Sequence, residues 1–268
     1  MDLHLQGKSA LVTGSTKGIG FAIASALARE GASVIVNGRG DKAVEEAIEA
    51  IRKGCAADGV KAEVEGVAAN GGTAAGVARI IEAAPSVDIL VNNLGIYEPK
   101  EFAEIDDTEW LRVFEINVMS GIRLSRHYLP GLLARNWGRI IFISSESGVN
   151  IPAEMIHYGF SKTAQIAVAR GLAELTAGSA VTVNSVLVGP TRSEGVSEFV
   201  ASIAKQRNIS PQVVEDEIFQ TLRPSSLIKR FATTTEIANM VVFLCSEVSS
   251  ATNGAAVRAD GGCIKSIL

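Results

Sequence analysis

The stretch Thr13-Gly14-Ser15-Thr16-Lys17-Gly18-Ile19-Gly20 decides how this 268-residue chain is read. It follows residues 9–13, a β-branched run of strand length. It opens residues 19–30, where apolar side chains recur at three- and four-residue spacing. The glycines fall at G-x3-G-x-G, not at the G-x-G-x-x-G of the common dinucleotide fingerprint. The physics is the same. Glycine permits a tight turn and close backbone approach, and a helix N-terminus offers free N–H groups and a positive dipole to a pyrophosphate. Gly14, Ser15, Thr16, Lys17, Gly18, Ile19 and Gly20 are accordingly expected at a dinucleotide. Many strand–helix turns carry glycine for packing alone, so the turn's place in the chain has to support this.

Working outward, strand-sized runs at 33–37, 62–67, 88–92, 139–144 and 181–186 alternate with helical patterns at 43–53, 73–84, 108–135 and 156–176. A last helix at 235–246 precedes a short strand at 256–259. Strands that are apolar throughout and separated by helices predict a parallel sheet covered on both faces. The expectation is an α/β fold, doubly wound, in one domain over 1–268. Residues 192–230 break the alternation with two polar helical patterns at 195–206 and 211–222. An insertion of this length is read either as a substrate loop or lid, or as a surface helical hairpin without function.

Composition narrows the function classes. The chain is 47% apolar and 20% charged, which excludes disordered and fibrous classes. Its net charge of −4 gives no basic footprint for nucleic acid. Cys55, Cys245 and Cys263 lie far apart with no CxxC, so neither a disulfide framework nor a metal site is expected. No signal-peptide pattern and no apolar run of spanning length are present, which predicts a soluble cytoplasmic protein without a membrane partner.

Two further clusters carry chemistry. The second strand ends in Asn37-Gly38-Arg39, where an NAD site usually places an acidic residue for the ribose 2′-OH. Arg39, helped by Lys17, would instead hold a 2′-phosphate, favouring NADP(H) while leaving NAD(H) possible; the alternative is that both cations are solvated surface residues. Tyr158 and Lys162 stand four residues apart on one helical face, and Ser144-Ser145 ends the preceding strand. A phenol has an ordinary pKa near 10, and a neighbouring ammonium would lower it by ~2–3 units. Such a phenol exchanges a proton with a carbonyl or alcohol oxygen while a serine holds that oxygen.

Taken together, these residues resemble the short-chain dehydrogenase/reductase family over almost the whole chain, with 3-oxoacyl reductase-like members the nearest pattern. The resemblance rests on Thr13-Gly14-x-x-x-Gly18-Ile19-Gly20, Asn92-Asn93-Leu94-Gly95, Asn117, Ser145 and Tyr158-x-x-x-Lys162. It extends to Val183-Asn184-x-Val186-x-x-Gly189-Pro190-x-Arg192 and Asp260-Gly261-Gly262. It implies a Rossmann-type sheet of about seven strands and a nicotinamide-dependent oxidoreductase. It makes Tyr158 the general acid/base, has Lys162 tune that phenol and bind the nicotinamide ribose, and has Ser145 bond the substrate oxygen. Asn117 would hold a water relaying protons to Lys162. Asn92, Asn93 and Gly95 would lie beside the adenine ribose, Asn70 at the adenine amino group, and Gly189 and Thr191 by the nicotinamide. Ser144 is read as a structural strand end. Departures are Leu94 for alanine, Asn70 for aspartate, Val188 for proline and Phe160 for a small residue. None removes a chemical group from the mechanism.

Other residues stay open. Glu146 either lines the pocket, selecting a hydroxyl or amine, or caps the following helix. His157 either reaches substrate or is a polar helix-start residue, while His4 and His127 are scattered elsewhere. Trp110 and Trp137 read as packing residues. Helices 108–135 and 156–176 carry apolar and small residues on more than one face, which predicts a homo-oligomer, a tetramer or dimer. The expected activity is hydride transfer between NADP(H) and a small-molecule carbonyl or secondary alcohol. The alternatives are an NAD-dependent sugar or polyol dehydrogenase, a 3-oxoacyl thioester reductase, and a non-catalytic nucleotide sensor.

Overall fold

Seven parallel strands form one sheet in the order β3-β2-β1-β4-β5-β6-β9 in a computed structural model that describes residues 1–267. The strands are β1 (Ser9–Val12), β2 (Ser33–Gly38), β3 (Val64–Ala68), β4 (Ile89–Asn92), β5 (Gly138–Ser145), β6 (Val181–Val188) and β9 (Ala256–Ala259). Two-residue strands β7 (Thr191–Arg192) and β8 (Ala232–Thr233) pair separately beside it. The order reverses between β1 and β4, and both neighbours pair with β1 in register, Ala10 with Val34 and with Ile89. Ligands bind at such a switch point, outside the carboxyl ends of the strands.

Period-two alternation sends successive β1 side chains to opposite faces. Ala10 and Val12 join Ile23 and Leu27 of α1 (Gly18–Arg29), Ile51 of α2 (Asp41–Ala57), and Ile237 and Val241 of α9 (Thr234–Cys245). Leu11 joins Ile80 of α3 (Ala74–Ala83), Leu124 and Leu132 of α5 (Ser120–Ala134), and Ala169 of α6 (Ile156–Glu174). Each fully buried Leu or Ile contributes about 1.5–3 kcal/mol, so both layers are fixed by the sheet's own sequence.

The expected helix over 108–135 is interrupted. Helix α4 (Asp107–Phe114) passes into a π-helical turn at Glu115–Met119 before α5. Such turns appear inside helices where a side chain must be re-aimed, and this one carries Asn117. Residues 192–230 form a hairpin of α7 (Glu194–Arg207) and α8 (Pro211–Glu217) with a π-turn at Ile218–Leu222. Its apolar residues Val200, Ala204, Val214 and Phe219 pack on one another and on Phe231, apart from the two main layers. Among the described residues no helix is long and apolar enough to cross a membrane.

Candidate active site

The glycine turn lies where β1 meets α1. Gly14 and Gly18 hold φ of +60° and +59°, a region that side-chain-bearing residues rarely adopt. A Cβ on Gly20 would sit 2.5 Å from Asn93 Nδ2 and closer still to the Gly14 carbonyl. Asn93 explains that crowding. Its Nδ2 donates to Thr13 O at 2.9 Å and Gly14 O at 3.0 Å, so it clamps the turn. Ser15 is equally committed. It is wholly buried, donates from Oγ to Val12 O at 2.7 Å and accepts the Asn37 N–H at 2.9 Å. Ser15, assigned to the pyrophosphate, and Asn93 thus both shape the turn with their side chains, leaving backbone N–H groups as its donors.

Helix α1 begins without a side-chain cap and without an acidic residue in its first turn, so its N–H groups remain an anion cradle. Glu194, the first residue of α7, already uses part of it, accepting the Gly18 N–H at 3.1 Å. Arg39 is exposed just after β2 and Lys17 at the N-cap of α1 within the turn, and neither forms an ion pair among the described residues. Asn70 is also exposed, its Oδ1 accepting Gly72 N–H at 3.2 Å. Leu94 reaches from Gly14 to Gly71, within 3.3 and 3.4 Å of where their Cβ atoms would be, and so forms part of the same groove wall. An open glycine turn, an uncapped helix and two unpaired cations fit a phosphorylated dinucleotide.

The catalytic candidates gather at the carboxyl ends of β4 and β5. Tyr158 lies beside Ser145, hydroxyl to hydroxyl, and Tyr97 leans edge-on against its ring at 6.0 Å. Lys162 Nζ stands 5.6 Å from the Tyr158 ring centre and donates to Ile143 O at 2.8 Å and Gln165 Oε1 at 3.1 Å. Asn117 Oδ1 accepts the Ile96 N–H at 2.8 Å, while its Nδ2 donates to Ile96 O and Ser161 Oγ, both at 2.9 Å. Ser144 donates to Lys162 O at 2.9 Å, which makes it a structural strand end.

One expectation is corrected here. The lysine was expected to lower the phenol's pKa, yet Tyr158 is pushed up, because burial of its hydroxyl outweighs its hydrogen bond with Ser145. The residue as a whole is half-buried, while its hydroxyl group is enclosed. Burial acts on Lys162 in the opposite sense, pushing it down to about 7. Gly95, expected at the adenine ribose, places its Cα hydrogen toward Lys162. A Cβ there would lie 3.4 Å from Nζ and 3.6 Å from Asn117 Oδ1. Asn92, expected beside it, is buried with Nδ2 on Ser125 Oγ at 3.2 Å.

Gln165 was not singled out from sequence. Its Oε1 takes the lysine while its Nε2 donates to the Asn117 carbonyl at 2.7 Å, so an amide links Asn117 to Lys162. Its position three residues after Lys162, on the same helix face, was the available signal. Gly189 packs against Asp260, and Thr191 Oγ1 donates to Gly189 O at 2.9 Å, shaping the loop after β6. His157 faces away from the site. It is fully buried against Trp110 with no ring-nitrogen hydrogen bond, 3.9 Å from Glu109, and burial pushes its imidazole down. Trp137 is sandwiched by Lys8 and Arg139, as a packing residue.

The hairpin touches this cluster. Glu146, next to Ser145 and 5% exposed, accepts Ser145 Oγ at 2.5 Å and Arg223 Nε at 2.7 Å. Arg223 follows the π-turn of the hairpin and lies 3.6 Å from Glu154. Arg192 forms a two-pronged pair with Glu215 at 2.7 and 2.5 Å. Leu227 and Ile228 then donate their N–H groups to Gly261 O, with their side chains filling the space above Gly261 and Gly262.

Comparison with known proteins agrees with this arrangement. A family model described as Enoyl-(Acyl carrier protein) reductase matches residues 14–263. The uncharacterised oxidoreductase YvaG of Bacillus subtilis is 48% identical over 267 residues, covering all of both chains. The 3-oxoacyl-[acyl-carrier-protein] reductase of Aquifex aeolicus is 32% identical over 264 residues, spanning 98% of this chain and 99% of its own. The crystal structure of L-sorbose reductase from Gluconobacter frateurii, complexed with NADPH and L-sorbose, superposes with a TM-score of 0.92 at 30% identity, covering all of both chains. A reversing seven-stranded sheet, an open glycine turn and near-complete matches of this kind place the chain in the short-chain dehydrogenase/reductase family of oxidoreductases.

Proposed function

We propose that this protein transfers hydride between NADP(H) and a small-molecule ketone or secondary alcohol. The observation that carries the reading is the convergence of Ser145, Tyr158 and Lys162 within one buried cluster beside Gly95. The bound nicotinamide supplies the hydride; the chain's own residues do the rest.

In the reducing direction Tyr158 donates its hydroxyl proton to the substrate oxygen while Ser145 holds that oxygen. The elevated pKa of the phenol keeps that proton in place until the alkoxide develops. Lys162, with its pKa near 7, is poised to reprotonate the phenolate, and Gln165 and the Ile143 carbonyl hold its Nζ in position. In the oxidising direction the same groups take the alcohol's proton.

Arg39 and Lys17 support the phosphorylated cofactor, as does the NADPH present with the L-sorbose reductase neighbour. The hairpin over 192–230 serves as a substrate lid, since Arg223 bonds a carboxylate that touches Ser145. Helices α5 and α6 pair with another copy of the chain through the apolar cleft between Ile122, Leu129, Val168, Leu172 and Leu175. The test is loss of NADPH absorbance with a panel of ketones, for wild type and Tyr158→Phe. Removing the proton donor should cost about 10²–10⁴-fold in kcat while NADPH still binds. Substantial residual kcat refutes the role given to Tyr158.

A further inference from the structure

The Ser145 hydroxyl carries one proton, and its destination is visible. Glu146 Oε2 lies 2.5 Å from Ser145 Oγ, and as a carboxylate it can only accept. The same oxygen receives Ser147 N–H at 2.7 Å and Ser147 Oγ at 3.0 Å, while Oε1 receives the Arg223 guanidinium. Ser145 Oγ in turn accepts the Ser147 N–H at 3.1 Å and faces the Tyr158 hydroxyl. Ser145 therefore spends its proton on Glu146. A ketone oxygen, which also only accepts, needs that proton.

A hydroxyl proton turned to one acceptor is lost to the other. Turning it to a ketone leaves Glu146 Oε2 with Ser147 N–H and Oγ alone, one donor fewer in a buried position, which costs free energy. A substrate that brings its own hydroxyl beside the carbonyl removes the conflict. Its O–H replaces the Ser145 proton on Glu146, and Ser145 turns to the carbonyl. The two oxygens of such a substrate sit on adjacent carbons, matching the side-by-side placement of Ser145 Oγ and Glu146 Oε2. Charge points the same way. Glu146, Glu154 and Arg223 together carry one excess negative charge, which disfavours a carboxylate or an acidic carrier at this wall.

Resting on the hydride-transfer reading above, we propose that the site is built for α-hydroxyketones, or vicinal diols in the oxidising direction, with Glu146 as the residue that takes the neighbouring hydroxyl. No bond changes at Glu146. The hydride goes to the carbonyl carbon, the Tyr158 proton goes to the carbonyl oxygen, and the adjacent hydroxyl remains intact.

The test compares 2-hydroxycyclohexanone with 2-methoxycyclohexanone as substrates for NADPH oxidation by wild type. The ether keeps the electron-withdrawing oxygen and lacks the proton. A site that bonds a substrate hydroxyl discriminates strongly against an analogue without it, so kcat/KM should favour the hydroxyketone by at least about tenfold. In Glu146→Gln, with folding checked by NADPH binding, that preference should collapse toward unity. Equal rates for the pair in wild type, or an unchanged preference in the variant, overturn the proposal while leaving carbonyl reduction intact. No turnover of either ketone, nor of cyclohexanone, overturns the reduction reading and this inference with it.

Discussion

Replacing Lys162 by methionine should make the cofactor-free protein more stable, at the expense of its activity. Lys162 is 5% exposed and has no carboxylate partner among the described residues, so folding must desolvate an ammonium or strip its proton. Its pKa falls from the ordinary 10.5 to about 7. At about 1.4 kcal/mol per unit, that drop corresponds to about 5 kcal/mol. Between those two pH values the unfolded chain holds a proton that the folded chain does not, so stability climbs as pH rises. Below pH 7 both states are protonated and the full cost is present. Methionine removes it but leaves Ile143 O and Gln165 Oε1 without their donor, at about 1 kcal/mol each. The net gain should be about 3 kcal/mol near pH 6 and about 3 kcal/mol less near pH 9, where much of the lysine's cost has already gone. Urea unfolding of both proteins at the two pH values, at one protein concentration, measures this. The difference between the two pH values is free of the hydrogen-bond correction. A stability gap that changes by less than about 1 kcal/mol between them would refute the reasoning.

Three other outcomes are expected. Arg39→Asp should move the kcat/KM preference from NADPH toward NADH by at least about tenfold, through lost pairing and added repulsion at the 2′-phosphate; an unchanged ratio assigns Arg39 to plain surface. Glu194→Gln should tighten NADPH binding severalfold in fluorescence titration, because its carboxylate now occupies the Gly18 N–H that a pyrophosphate would use. Weaker binding would mean that the contact orders the turn instead. Size exclusion with light scattering should give a dimer or tetramer mass that Leu129→Glu converts to a monomer, and a monomeric wild type removes the proposed α5–α6 interface.

The fold was legible because each layer repeats its own signal. Alternate residues of β1 point to different cores, and Gly14, Gly18 and Gly20 mark the tight turn between β1 and α1. The clustering of Ser145, Tyr158 and Lys162 was legible from spacing plus chain order. Other features depend on contacts distant in sequence, which no local pattern records. The π-turn that aims Asn117 at Ile96 is set by tertiary bonds to Ile96 and Ser161, 21 and 44 residues away. The Ser145–Glu146–Arg223 link spans 77 residues between its last two members. The direction of the Tyr158 shift was missed because the sequence shows the ammonium but not the enclosure of the phenol oxygen.

The separate apolar cluster of the hairpin bears on how the site opens. Val200, Ala204, Val214 and Phe219 are shielded chiefly by one another and by Phe231 at the hairpin's base. On the proposed lid reading, the hairpin would move as a unit with most of its own apolar contacts kept. The segment is held by the Glu194 contact to the glycine turn, by the Arg223 clasp on Glu146, and by Leu227 and Ile228 over Gly261 and Gly262. On that reading, salt would weaken the exposed Glu194 contact more than the buried Arg223–Glu146 pair and leave the apolar contacts little changed, so the ease of substrate entry would depend in part on the surrounding electrolyte.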